Sequence, residues 1–411
     1  METGGVRTLL QNRRYRLYLA SRISLIVATQ MLSVAVGWQV YEITGQALAL
    51  GFSGLAIFLP NFVLALVGGH IADRFDRRRI LLVCHSGVTL SAAALAAISF
   101  SGVKSLAPIY GILGVLGAIR AFSAPAGQAL MPNLVDRNEL ERAVALGSSG
   151  WQLAMIAGPS LGGAIYAATG RAGVVYAGCA LMGLAAFACV LAIGSTPAGG
   201  ERVGPKARAS WSVVLAGLRY VWSNKPLLGS ISLDLFAVLL GGAVALLPIF
   251  ARDALHVGPW GLGFLRSAPA FGAAAVAFLV ASFPVRRRAG MTMFACVMLF
   301  GVATIAFGLS KSFVVSLVAL AILGGADMVS VVIRSTLVQI RTPDEMRGRV
   351  SAVNMLFIGA SNELGEFESG VTAAWLGPEA AVVAGGIGTC LVVVAWAFMF
   401  PELRRVDRLS D

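Results

Sequence analysis

Long apolar runs alternate with short polar gaps along nearly the whole chain. Twelve runs approach or exceed the roughly 20 residues a helix needs to cross a bilayer. They lie near 17–41, 47–71, 80–101, 106–130, 143–168, 172–194, 227–251, 258–283, 290–309, 313–338, 350–374 and 378–400. Within each run the apolar residues are continuous and do not alternate with polar ones. The two-residue period of a barrel strand is therefore missing, and the pattern predicts twelve membrane-spanning helices. Helices suit such runs because each satisfies its own backbone hydrogen bonds where no water can.

The polar gaps give orientation. With the N-terminus placed in the cytoplasm, the gaps and ends on that side hold 24 Lys and Arg residues. The opposite side holds only Lys104, Arg171, Arg252 and Lys311. Cytoplasmic loops carry the excess of positive charge, so both termini are expected inside, which fits an even helix count.

Composition supports the same class. Apolar residues make up 57% of the chain and charged residues 13%, against about 45–50% and 25% in ordinary soluble domains. The net charge of +12 does not point to nucleic acid, because the basic residues sit in short gaps between apolar runs. Arg13, Arg14 and Arg16 precede an apolar run too long for a secretory h-region, so it is expected to remain as the first helix. Five cysteines fall in apolar runs without a Cys-x-x-Cys pair and read as packing residues. No phosphate-cradling G-x-x-x-x-G-K-[ST] occurs, and the three histidines are scattered. No enzyme activity, cofactor or metal is expected.

The longest polar gap, 195–226, lies near the middle of the chain. It is read as a cytoplasmic linker between an N-terminal bundle, 1–194, and a C-terminal bundle, 227–411. Within it Trp211, Val214, Leu215, Leu218 and Trp222 recur at helical spacing, predicting a short amphipathic helix on the inner surface. The two halves repeat each other. Arg142, Gly158 and Gly163 recur 207 residues later as Arg349, Gly365 and Gly370, and Arg77–Arg79 recur 209 later as Arg286–Arg288. Two copies of one six-helix bundle are the plan of a transporter that binds its substrate between the halves.

Between the second and third runs lies Gly68-Gly69-His70-Ile71-Ala72-Asp73-Arg74-Phe75-Asp76-Arg77-Arg78-Arg79. The glycines allow a close helix approach, Asp73 suits the positive end of a neighbouring helix, and the arginines suit an anionic inner surface. This stretch resembles the signature loop of the major facilitator superfamily, G-x-x-x-D-R-x-x-R-R. In that family the loop docks against helix 11 and steadies the outward-open state. The resemblance implies a gating role for Gly69, Asp73, Arg74, Arg77 and Arg78; the second copy lacks the acid. Gly158-Pro159-Ser160-Leu161-Gly162-Gly163 in the fifth run resembles the family's antiporter motif, G-P-x-x-G-G, which marks exporters. There Pro159 can kink the helix, and Gly158 and Gly162 permit close packing at the interface of the halves. Arg120 resembles the family's fourth-helix arginine, implicated in proton coupling.

Other ionisable residues also fall inside the runs. Asp327 and Arg334 are seven apart on the tenth and share a face. Glu363 lies near the middle of the eleventh. Intramembrane carboxylates are costly and commonly mark proton relays, so Asp327 and Glu363 are the candidate carriers. The alternative is an Asp327–Arg334–Glu363 network that only holds the C-terminal half together. Asp234 is placed nearer an inner helix end, in reach of solvent. The first run has no central acid; Gln30, with Gln39, Trp38 and Gln152, either lines a cavity or makes packing hydrogen bonds.

The resemblance covers nearly the whole chain. Ala124–Pro132, Arg142–Leu146 and Thr342–Val350 are similar to the branch of enterobactin-type siderophore exporters, which also holds lysophospholipid flippases and drug exporters. The expectation is an all-α, monomeric transporter in a bacterial inner membrane. Protons would drive outward passage of a siderophore or another amphipathic molecule. A flippase of the same fold and a proton-coupled importer stay open as alternatives.

Overall fold

The computed structural model describes residues 9–194, 211–283 and 287–407. Among these there is no strand. Twelve long helices run in order: α1 (Arg13–Thr44), α2 (Ala47–Arg74), α3 (Arg77–Phe100), α4 (Ala107–Leu130), α5 (Leu140–Thr169), α6 (Ala172–Ala192), α7 (Lys225–Leu240), α8 (Gly258–Ser282), α9 (Ala289–Leu309), α10 (Phe313–Arg341), α11 (Asp344–Leu376) and α12 (Pro378–Met399). Each overlaps a predicted run. Ten segments are long and apolar enough to cross a membrane on length and composition alone. The two long helices outside that set are α5, diluted by Gly and Ser, and α11, which carries Glu363, Glu366 and Glu368.

One element departs from its prediction. The seventh helix stops at Leu240 and does not run on to 251. Two consecutive glycines, Gly241 and Gly242, follow it, and both cost a helix backbone entropy. The chain continues through a 3₁₀ turn, Ala243–Leu246, and a π turn, Phe250–Ala254.

The chain forms two compact units. The first comprises Met1–Gln39 and Ala56–Ala209. Here α3 packs along α4 and α6, and α2 crosses α4 at backbone distance. A Cβ on Gly68 would strike the Ala121 carbonyl, and one on Gly117 would strike the Ile57 carbonyl. Two short caps shape the ends. Asp76 accepts from the Arg78 backbone N–H at 2.9 Å to start α3, and Gly170 takes the left-handed conformation that stops α5.

The second unit comprises Val40–Leu55 and Ser210–Asp411. The C-terminal end of α1 and the first turns of α2 gather here. Gly51 lies against Phe367 and Gly370 of α11, Gly54 against Glu366, and the Tyr41 hydroxyl donates to Asp253. Arg252 stands 5.6 Å from the centre of the Tyr41 ring. In this unit α8 crosses α10 as α2 crosses α4. Gly272 lies on the Ala321 carbonyl and Gly324 on the Pro269 carbonyl. Gly272 and Gly324 stand 204 and 207 residues after Gly68 and Gly117, so the internal repeat extends to the contacts themselves.

The short helix Trp211–Ser223 precedes α7. Its predicted apolar face is only partly the packing face. Gly217 seats on the Arg349 carbonyl of α11, Val221 is buried, Leu218 packs on the same core, and the Tyr220 hydroxyl donates to the Arg341 carbonyl at 2.8 Å. Leu215 and Trp222 point away and are exposed. A helix lying at a membrane surface presents such residues to lipid. The side chains of Trp211 and Val214 lie outside the described residues.

At the far end of the unit, residues 401–407 return to the start of α9. Arg288 N–H donates to Asp407 Oδ1 at 2.9 Å. Ala289 and Gly290 donate to the carbonyls of Asp407 and Val406 at 3.1 and 3.0 Å. These are among the backbone donors that a helix start leaves without intrahelical partners.

Candidate functional site

The second unit buries a cluster of charge. On α10, Asp327, Ser330 and Arg334 follow one another at three and four residues, so they occupy one face. Asp234 comes across from α7. Arg334 Nη1 and Asp234 Oδ2 form an ion pair with side chains 3% and 7% exposed. Such a pair holds its place only because each charge compensates the other; either alone would be far more costly away from water.

This pairing corrects the expectation for the cluster. The partner of Arg334 is Asp234, placed by sequence within reach of solvent but in fact buried at 5% exposure. The burial follows from the packing of α7 against α10, α11 and α12. Glu363 is also buried, on α11 of the same unit. Among the described residues Asp327 makes no ion pair. It is half-buried and lines a small, partly open cavity together with Asp234, Ser330, Ala237, Val297 and Phe300. The cavity therefore presents two carboxylates and a hydroxyl on otherwise apolar walls.

The remaining candidates lie in the first unit. Gln30 is half-buried; its side-chain amide N–H₂ donates to Met155 sulfur, and its backbone carbonyl accepts from the Ser33 hydroxyl at 2.8 Å. Gln39 accepts from the buried Tyr176 hydroxyl at 2.7 Å, which makes it a packing residue. Arg120 is exposed on α4. Gly158, Pro159 and Gly162 are buried. A Cβ on Gly158 would meet Gln30 Cβ at 2.6 Å, and one on Gly162 would meet Met31 Cα at 2.9 Å. These contacts bring α5 onto α1 within the unit, whereas the sequence predicts packing of these glycines at the interface of the halves.

The loop between α2 and α3 uses its arginines on helix ends. Arg77 donates to the Ala129 carbonyl at 3.1 Å, and Arg78 to the Val190 and Leu191 carbonyls at 3.1 and 2.8 Å. These carbonyls belong to the last turns of α4 and α6, where cations are favoured. Arg74 is exposed and Gly69 half-buried. The side chain of Asp73 lies outside the described residues, as does Arg286 in the second copy.

Comparison with known proteins adds the family. The profile of MFS_3, transmembrane secretion effectors, matches residues 8–410. The chain belongs to this family. It is a major facilitator transporter and not an enzyme. The enterobactin exporter EntS of Shigella boydii is 28% identical over 395 residues, covering 95% of this chain and 92% of that one. Two solved structures share the fold. One, a bacterial homologue of the iron transporter ferroportin, has a TM-score of 0.71 at 15% identity, with 96% and 99% of the two chains covered. The other, a bacterial homologue of the human lysosomal transporter Spinster, has a TM-score of 0.69 at 15% identity, with 95% and 96% covered.

Proposed function

We propose that this family member exports a siderophore or another amphipathic small molecule across a bacterial inner membrane, by alternating access and at the expense of a proton gradient. The observation that carries the reading is the similarity to enterobactin exporters along 95% of the chain. The charge asymmetry of the polar gaps supports two cytoplasmic termini, and lipid would cover the exposed apolar surface of the helices. The chain works as a monomer in this reading.

Coupling belongs to the carboxylates within the helical runs. Asp327 takes up a proton from the outer side, carries it through the inward turn of the cycle and releases it inside, while cargo leaves on the opposite stroke. Glu363 is the second carrier, and Arg120 and Gln30 act on the side of the N-terminal helices. Gly69, Asp73, Arg74, Arg77 and Arg78 gate the change of state, with Gly158, Pro159 and Gly162 allowing α5 to move against its neighbours.

The cargo is tested by profiling small molecules in the medium of a deletion strain under iron limitation and in excess iron. A siderophore missing from the medium and accumulating in the cells is expected. Coupling is tested in proteoliposomes with an imposed pH gradient. Asp327→Asn should abolish gradient-driven export at normal protein levels, and Glu363→Gln should weaken it. Full coupling in both variants removes these residues as carriers.

A further inference from the structure

We propose that the cavity between α7, α9 and α10 binds one bare alkali cation, Na⁺, in competition with a proton. The inference rests on reading this cluster as the ion-coupling site and gives it a second ion. Its first support is charge. Asp234, Asp327 and Arg334 in their ionised forms sum to −1 at a place where Asp234 and Arg334 are nearly hidden from water and Asp327 is half-buried. An uncompensated charge there is strongly disfavoured. One monovalent cation brings the sum to zero, and a divalent ion overshoots it.

The second support is independent of charge. Ser330 lines the same cavity and is only 2% exposed, and its Oγ makes no hydrogen bond among the described residues. Buried hydroxyls nearly always find a partner. A proton bound to Asp327 sits on a single carboxylate oxygen and needs no further ligand. A hard cation instead collects several oxygens at once. Asp327 and Ser330 supply two from one turn of α10, and Asp234 supplies a third from α7 through the oxygen that Arg334 does not hold.

Size selects the form of the ion. The cavity has an internal volume of about 10 Å³, room for one water-sized body. A dehydrated Na⁺ fits, and a hydrated one does not. The elements packed around the cavity add no competing ligand charge to its lining. From α9 come Val297 and Phe300, and that helix holds no charged residue. Arg266 on α8 and Glu363, Glu366 and Glu368 on α11 are not among the residues lining it.

The test uses the full-length protein in detergent, with thermal unfolding followed by tryptophan fluorescence. Na⁺ replaces choline at constant ionic strength and mildly alkaline pH. A saturable rise in Tm specific to Na⁺ is expected, as for any ligand of the folded state, and acidification should weaken it. Ser330→Ala should raise the half-saturating Na⁺ concentration about tenfold. Asp327→Asn should remove the response. Equal rises in choline and Na⁺, or a Na⁺ response unchanged in both variants, overturn the proposal. Should Asp327→Asn fail to fold, the single missing hydroxyl of Ser330→Ala still decides the matter. Binding is read here without transport, so export indifferent to a pH gradient would end the proton reading and leave this one standing.

Discussion

Arg334 is the residue on which the second unit's buried charge turns. With Asp234 opposite it, both ions are nine-tenths or more hidden. Removing one partner strands the other, and breaking a buried pair this way costs about 3 to 5 kcal/mol. Arg334→Gln should therefore lower the unfolding temperature sharply. Combining it with Asp234→Asn should recover most of the loss, because no bare charge remains. A double variant as unstable as the single one would show that the pair is not what these residues contribute. Sequence made part of this readable. Seven-residue spacing placed Asp327 and Arg334 on one face of a helix, and the cost of charge in lipid marked them as special. It did not identify the partner. Asp234 lies 100 residues upstream of Arg334, and which carboxylate meets an arginine depends on how three helices pack. Hydropathy is blind to that, and a position near a helix end suggested solvent where there is protein.

The twelve helices were legible because lipid imposes a length and forbids unpaired backbone, leaving the apolar run as a direct signature. The break after α7 was less so. Gly241-Gly242 lies inside a run of high mean hydropathy, and composition does not register a loss of helical geometry there. The cap on α9 was not legible either, since its donors and acceptors are 119 residues apart. That cap gives an element-scale prediction. Asp407→Ala removes the side-chain acceptor of Arg288 N–H but keeps the backbone carbonyls that serve Ala289 and Gly290. Loss of a side-chain cap costs about 1 kcal/mol. Thermal unfolding in detergent should show that modest drop, with Asp407→Asn close to the parent. A drop as large in the Asn variant would mean that charge, and not the acceptor oxygen, matters at this end.

For the molecule as a whole, duplication was written in the chain at an offset near 207 residues, in Arg and Gly positions that recur. The crossings of α2 with α4 and of α8 with α10 turn that offset into matching backbone contacts. What sequence could not convey is that Val40–Leu55 packs into the second unit. A boundary drawn at the polar linker follows the covalent chain, whereas packing follows Gly51 onto Gly370 and Tyr41 onto Asp253. Orientation in the membrane is the expectation to check at this scale. A single cysteine introduced at Gly200 should react with an impermeant thiol reagent only in inverted vesicles. Labelling in intact cells after outer-membrane permeabilisation would reverse the assignment of every loop.

The seating of residues 401–407 on the start of α9 also has a consequence for how the protein is made. Arg288 leaves the ribosome 119 residues before Asp407. At about 5 to 20 residues per second, translation needs roughly 6 to 24 s to cover that distance. Throughout that interval the first donors of α9 have water in place of the partners that residues 406 and 407 later supply. The C-terminal bundle is thus completed only once synthesis has passed its twelfth helix, and a ribosome stalled before that point leaves an unfinished bundle for quality control to meet.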